Sequence, residues 1–108
     1  MTDQVLQRLS EVIRQRRDAS PDDSYVARLN EQGLDAILKK IGEESAELIL
    51  AAKGEGKEAI IHETADLFFH VLVLLVRNEL GPEDICTELD KRFGKSGLEE
   101  KAQRNSQQ

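Results

Sequence analysis

The chain has 108 residues, 39% of them apolar and 4% aromatic with no Trp, and a formal net charge of -6 with a pI near 4.9. One domain of this size must build its core from Leu, Ile, Val and Ala, which favours packed helices over a β-sandwich, and its acidic balance excludes a protein whose main work is gripping a nucleic-acid backbone. Cys86 is the only cysteine, so neither an intrachain disulfide nor a thiolate metal site is available.

Val5, Leu6, Leu9, Val12 and Ile13 recur at spacings of three and four, which predicts a first helix over about residues 3–18. In "SPDDSY" Ser20 can cap, Pro21 suits the first helical position, and Asp22 and Asp23 complement the positive helix end, so a short second helix is expected from near Pro21 to near Gly33. Leu34, Ile37, Leu38, Ile41, Leu48, Ile49 and Ala52 share one side of a third helix that runs to Lys53, where "GEG" breaks it. A fourth runs from about Lys57 to Leu80 until Gly81-Pro82, and a fifth from Pro82 to Gly94, ahead of a polar tail that is loose from about residue 100. No linker or repeat divides the chain, so residues 1–108 form a single all-α domain, a helical bundle of four to five helices completed by dimerisation. The start is charged and lacks an apolar leader, and the longest apolar run, "LFFHVLVLLV", is too short to span a bilayer, so a reducing cytoplasm without membrane contact is the expected setting.

The acidic residues of the third and fourth helices carry the chemistry. With Lys40 as zero on the helical wheel, Glu44 lies at roughly 40°, Glu47 at roughly -20° and Glu43 at roughly -60°, all beside the apolar stripe rather than opposite it. Around Glu63 and Asp66 the apolar residues from Ile60 to Val76 cover nearly every direction, leaving no broad polar face. A carboxylate buried there needs a partner or a shifted pKa. Glu44 with Glu47, and Glu63 with Asp66, stand three apart, so each pair projects from one face, and a short glycine break lets the two helices lie antiparallel with four acids converging. Like charges held together need cations, and hard oxygen ligands without cysteine favour Mg²⁺, with Mn²⁺ as a substitute. Such a cluster suits phosphate chemistry, with Lys39, Lys40, Lys53 and Lys57 near it in sequence. A di-iron bundle would want Glu-x-x-His, and neither His62 nor His70 follows a Glu by three.

"EESAE" at 43–47 and "ETAD" at 63–66 resemble the E-E-x-x-E plus E-x-x-D signature of the all-α, MazG-like nucleoside triphosphate pyrophosphohydrolases. Within that group "SPDDSYVARL", "GLDAILKKIGEE", "ETADLFFHVLVLL" and "RFGKSGLEEKAQR" are similar to the phosphoribosyl-ATP pyrophosphatase family of histidine biosynthesis, over about residues 4–104. The resemblance implies Mg²⁺-dependent hydrolysis of phosphoribosyl-ATP to phosphoribosyl-AMP and pyrophosphate by an α-helical homodimer. It implies metal binding by Glu44, Glu47, Glu63 and Asp66, and a role for Glu43 in orienting water or a second ion. Lys40 is the expected phosphate contact, with Ser24, Tyr25, Lys95, Ser96, Lys101 and Arg104 as further candidates for the substrate or for packing of the tail.

Other readings compete. For Glu43 alone a solvated face is the ordinary explanation, as it is for Lys39, Lys53 and Lys57. His70 reads as a satisfied core or interface histidine, His62 as a surface residue, and Cys86 as a small apolar residue. At the level of function, a house-cleaning pyrophosphatase of free nucleoside triphosphates would keep the acids and lack the use of the tail. A non-catalytic helical dimerisation module would have no need of acids on a buried helix.

Overall fold

A computed structural model describes residues 2–93 and Arg104, and among these the secondary structure is helical throughout. Five helices follow one another: α1 (Thr2–Arg16), α2 (Tyr25–Gln32), α3 (Leu34–Gly54), α4 (Lys57–Arg77) and α5 (Pro82–Asp90). α3 and α4 form a long hairpin, against which α1 and α2 pack, while α5 lies beside α1. The core is a cluster of Ile13, Val26, Leu29, Ile37, Leu72, Val73 and Val76. Ile13, Ile37 and Val76 are fully buried, each contributing about 1.5–3 kcal/mol by leaving water.

The second helix starts one turn later than the sequence suggests. Ser20 does open a turn, accepting from the backbone N–H groups of Asp23 and Ser24, but that turn is not continued. Ser24 is the N-cap instead: it has extended backbone, and its Oγ accepts from the Ala27 N–H at 3.1 Å. The same hydroxyl donates to the Arg16 carbonyl at 3.3 Å, at the end of α1. A long-range hydrogen bond therefore decides between two serines that are locally equivalent as caps.

α4 stops three residues before the expected Leu80. The Leu80 N–H bonds to the Leu75 carbonyl at 2.8 Å and the Glu79 N–H to the Val76 carbonyl at 3.0 Å, the double closure that follows when one residue turns left-handed. That residue is Glu79, with φ 59°. Arg17 reaches over from α1 and holds the closure, donating to the Val76 carbonyl at 3.0 Å and to Glu79 Oε1 at 3.2 Å. Beyond it, Pro82 starts α5 and the Gly81 N–H donates to Asp84 Oδ2 at 2.8 Å. α5 ends at Asp90 rather than at Gly94, which lies outside the described residues, as does the tail expected to be loose at its end.

Apolar residues all round α4 do not translate into full burial. Ile61 is 69% exposed and Phe68 50%, and on α3 Ile49 and Leu50 are exposed as well. α4 is also long and apolar enough, by length and composition, to cross a membrane, so the length of its ten-residue apolar run does not by itself exclude a span. Core helices of soluble proteins meet the same criterion.

Two left-handed positions give opposite expectations. Gly56, in the two-residue connection between α3 and α4, has φ 96° and ψ 172°, a region essentially reserved for glycine, and no atom lies within 4 Å of where a Cβ would sit. Gly56→Ala should cost about 1–3 kcal/mol through the backbone alone. Glu79→Gly should instead raise stability by about 1 kcal/mol, since its exposed ion pair with Arg17 contributes less than the left-handed penalty removed. Urea unfolding of the two variants beside wild type checks both signs.

Candidate active site

Because two residues join α3 to α4, the acids at equal distance from the turn face each other. Carboxylate oxygens of Glu44, Glu47 and Glu63 all lie within 4.8 Å of one another. Glu63 also belongs to a second group with Asp66 and His62, within the same limit. The four acids expected to converge therefore meet as two groups that share Glu63.

Glu44 is 6% exposed, whereas Glu47 is exposed, and this difference sets the site's polarity. Glu44 Oε1 lies 3.5 Å from Lys40 Nζ, one turn back on α3, but Glu44 Oε2 is buried without a hydrogen-bond partner. Glu63 Oε2 is in the same state. Two buried carboxylate oxygens without partners, on acids grouped with a third, are costly unless a cation is there to meet them. The donor set is all oxygen apart from His62, which suits a hard divalent ion. On these grounds the residues fit a Mg²⁺ or Mn²⁺ site.

The titration of Glu47 reports the same crowding. Its carboxyl is pushed above the usual carboxylate range, first by its hydrogen bond to Glu63, then by the Glu63 charge and by desolvation, against the pull of Glu44 and Lys40. Lys40 holds its proton more tightly than usual, first because of Tyr25 and then because of Glu44 and Glu43, with desolvation acting the other way. Glu43 is exposed and pairs with Lys40 at 3.8 Å, outside both carboxylate groups.

Ser24 is buried and occupied in capping, so its role here is to hold Tyr25 at the first position of α2. Tyr25 is 42% exposed, with its hydroxyl 2.9 Å from His70 Nε2. His70 is buried with both ring nitrogens partnered, as a satisfied core histidine would be. Arg104 is exposed, and Lys95, Ser96 and Lys101 lie outside the described residues. Lys39, Lys53 and Lys57 are exposed. His62 is exposed as expected, yet its Nε2 lies 3.4 Å from Asp66 Oδ2, a neighbour of the acids that the four-residue spacing on one helix could have shown. Cys86 is exposed rather than packed.

Helices throughout the described residues, with acids grouped across a hairpin of the two longest, define a carboxylate-cluster helical protein. The profile of the Phosphoribosyl-ATP pyrophosphohydrolase family matches residues 6–93. A phosphoribosyl-ATP pyrophosphatase of Geobacter metallireducens is 53% identical over 102 residues, 94% of both chains. One from Methylococcus capsulatus is 55% identical over 100 residues, 93% of this chain and 95% of its own. The chain belongs to the phosphoribosyl-ATP pyrophosphohydrolase family.

The raised Glu47 pKa has a definite sign. With chelator present, the folded protein binds the Glu47 proton more tightly than the unfolded chain, so this contribution to stability is complete below the ordinary value of 4.5 and is lost as pH rises through the folded pKa. Glu47→Gln removes the loss. Its melting temperature should therefore exceed that of wild type by a margin that widens as pH rises above about 4.5 in chelator. Saturating Mg²⁺ should reverse the order, which circular dichroism melts can follow.

Proposed function

We propose that the chain hydrolyses phosphoribosyl-ATP to phosphoribosyl-AMP and pyrophosphate, a step of histidine biosynthesis, with Mg²⁺ held by Glu44, Glu47, Glu63 and Asp66 and replaceable by Mn²⁺. The observation that carries this reading is that Glu44 and Glu63 each bury an oxygen without a hydrogen-bond partner while both stand grouped with Glu47 across the α3–α4 hairpin. Family membership supports the substrate, since relatives about half identical over most of the chain bear the name of that activity.

Hydrolysis of the α,β-phosphate linkage breaks one P–O bond to the leaving pyrophosphate and forms another from water, whose proton must go to a base. A bound divalent ion would supply charge neutralisation for the phosphate oxygens and acidify water. The remaining work falls to the chain's own side chains. Lys40 stands at the edge of the acid group, its ammonium shared between Glu44 and Glu43, and can exchange Glu43 for a phosphate oxygen as substrate arrives. Glu43, released from that pair and exposed, is placed to orient a water and accept its proton. Buried Glu44 fixes the inner side of the site, and exposed Glu47 and half-buried Asp66 leave its outer side open to a polyphosphate.

The exposed apolar residues of the hairpin, Ile49, Leu50, Ile61 and Phe68, support a homodimer in which a second copy covers them. The net charge of -6 agrees with a small-molecule substrate, a soluble cytoplasmic setting and no nucleic-acid or membrane partner.

The test is pyrophosphate release from phosphoribosyl-ATP beside a panel of ordinary and deoxy nucleoside triphosphates, with and without Mg²⁺. Mg²⁺-dependent turnover of phosphoribosyl-ATP alone is expected, and Glu63→Gln or Asp66→Asn should lower kcat by about 100-fold or more while keeping the helical circular dichroism signal. Turnover of the free triphosphates instead would move the protein to house-cleaning hydrolysis. Near wild-type rates in either variant would remove those acids from the metal site.

A further inference from the structure

α4 carries a second group of donor atoms beside the acids that face α3. His62 and Asp66 stand one helical turn apart, and an imidazole nitrogen of His62 and one carboxylate oxygen each of Glu63 and Asp66 lie within 4.8 Å of one another. This group shares Glu63 with the all-oxygen group of Glu44 and Glu47 but differs from it in kind, because it offers a nitrogen. His62 is the only imidazole able to do so. The chain has two histidines, and both ring nitrogens of His70 are already bonded, to the Tyr25 hydroxyl and to the Asp66 carbonyl.

The distances suit a shared ion better than a hydrogen bond. His62 Nε2 lies 3.4 Å from Asp66 Oδ2, longer than the roughly 2.7–3.2 Å of a good N–H···O contact. Two ligands bound at about 2.0–2.1 Å to one tetrahedral ion stand roughly 3.3–3.4 Å apart, which is that separation. The two acids also lack a cation of their own. Among the described residues no lysine or arginine pairs with Glu63 or Asp66, and Glu63 Oε2 is buried without a hydrogen-bond partner. A solvated histidine–aspartate pair would have no use for a third donor in reach with an enclosed, unpartnered oxygen. The His62 side chain is 72% exposed, so an ion can enter from solvent and keep some of its waters.

We infer that His62, Glu63 and Asp66 form a site for a transition ion of the Zn²⁺ class, which competes with Mg²⁺ for the acids of the hydrolase. Imidazole suits Zn²⁺, Co²⁺ and Ni²⁺, whereas Mg²⁺ prefers oxygen and sheds water reluctantly, so His62 adds affinity for the first class and little for the second. An ion held there keeps Asp66 beside His62 and engages Glu63, the residue common to both groups. The competition rests on the role proposed above for Glu63 and Asp66 in holding Mg²⁺, and the chelate itself does not. Its effect on the enzyme is inhibition, produced by one imidazole next to an otherwise hard site.

The experiment titrates untagged protein with Zn²⁺ and with Mg²⁺ by calorimetry, as wild type, His62→Gln and Cys86→Ser, the last because an exposed thiol can also take Zn²⁺. His62→Gln should weaken Zn²⁺ binding by about tenfold or more and change Mg²⁺ binding by less than about threefold. Cys86→Ser should keep the wild-type Zn²⁺ affinity. Imidazole ¹⁵N spectra of wild type read the same site without any variant and without turnover: Zn²⁺ should shift a nitrogen of His62 and leave His70 in place. Equal Zn²⁺ affinity in wild type and His62→Gln, or His62 resonances unmoved by Zn²⁺, would overturn the site.

Pyrophosphate release from phosphoribosyl-ATP separates the site from the reaction. With Mg²⁺ near half-saturation, Zn²⁺ should inhibit wild type at concentrations about tenfold below those needed for His62→Gln, each rate taken relative to the same protein without Zn²⁺. Excess Mg²⁺ should relieve the inhibition. A wild type without turnover whose His62 nonetheless bound Zn²⁺ would remove the reaction and keep the site. An active wild type in which Zn²⁺ neither shifted His62 nor distinguished the two proteins would remove the site and keep the reaction. Zn²⁺ bound through His62 with no effect on turnover would overturn the competition.

Discussion

Like charges within 4.8 Å of one another, on Glu44, Glu47 and Glu63, are the condition that the rest of this fold has to sustain. Left alone, such side chains would swing into water. Glu44 cannot, because it is buried on the inner side of α3, and Glu63 keeps one oxygen enclosed on α4. The register that opposes them comes from the short connection after Gly54, where Gly56 adopts a conformation that other residues resist. One backbone geometry thus converts two local three-residue spacings into a long-range cluster.

The other helices act mainly by fixing α4 along its length. Near its C-terminal end, Arg17, the residue after α1, bonds to a helix carbonyl and to Glu79. In its middle, Tyr25 of α2 bonds to His70, whose second nitrogen returns to the backbone at Asp66. The Ser24 hydroxyl connects these two anchors, since it caps α2 and reaches the last residue of α1. Within the hairpin, Ser45 and Thr64 turn their hydroxyls onto the carbonyls of Ile41 and Ile60 in the preceding turn, so neither competes for the neighbouring carboxylates.

Much of this was legible before any coordinates. The stripe from Leu34 to Ala52 and the apolar density of α4 define the hairpin, and three-residue spacings put Glu44 with Glu47 and Glu63 with Asp66 on common faces. What local pattern could not supply was the choice between alternatives settled at a distance. Ser20 and Ser24 are equally good caps in sequence, and the Arg16 carbonyl decides between them. Gly81 looks like the stop for α4, but its φ is -145°, and a glutamate supported by Arg17, just past the end of α1, takes the left-handed position. A helical wheel puts His62, Glu63 and Asp66 together on α4, but it cannot say that Glu63 is the one that groups with Glu44 and Glu47, because this depends on the approach of two helices. Nor does composition say which apolar faces stay open in one chain: the run from Phe68 to Val76 reads as packing against its own subunit or another, and Phe68, like Ile61, stands exposed.

α4 runs from Lys57 to Arg77 with half-buried Phe69 and exposed Phe68 and Ile61 on its flanks, and it is apolar enough over its length to suit a lipid interior. Between Glu58 and Arg77 its only acidic or basic side chains apart from His62 and His70 are Glu63 and Asp66. In the unfolded or newly made chain, acids interrupting an apolar segment oppose its self-association, quite apart from any ligand they hold. Neutralising them relieves repulsion in the folded state while leaving a nearly uninterrupted sticky segment in the unfolded one. Folding stability and colloidal solubility are consequently set in opposite directions by the same pair of carboxylates.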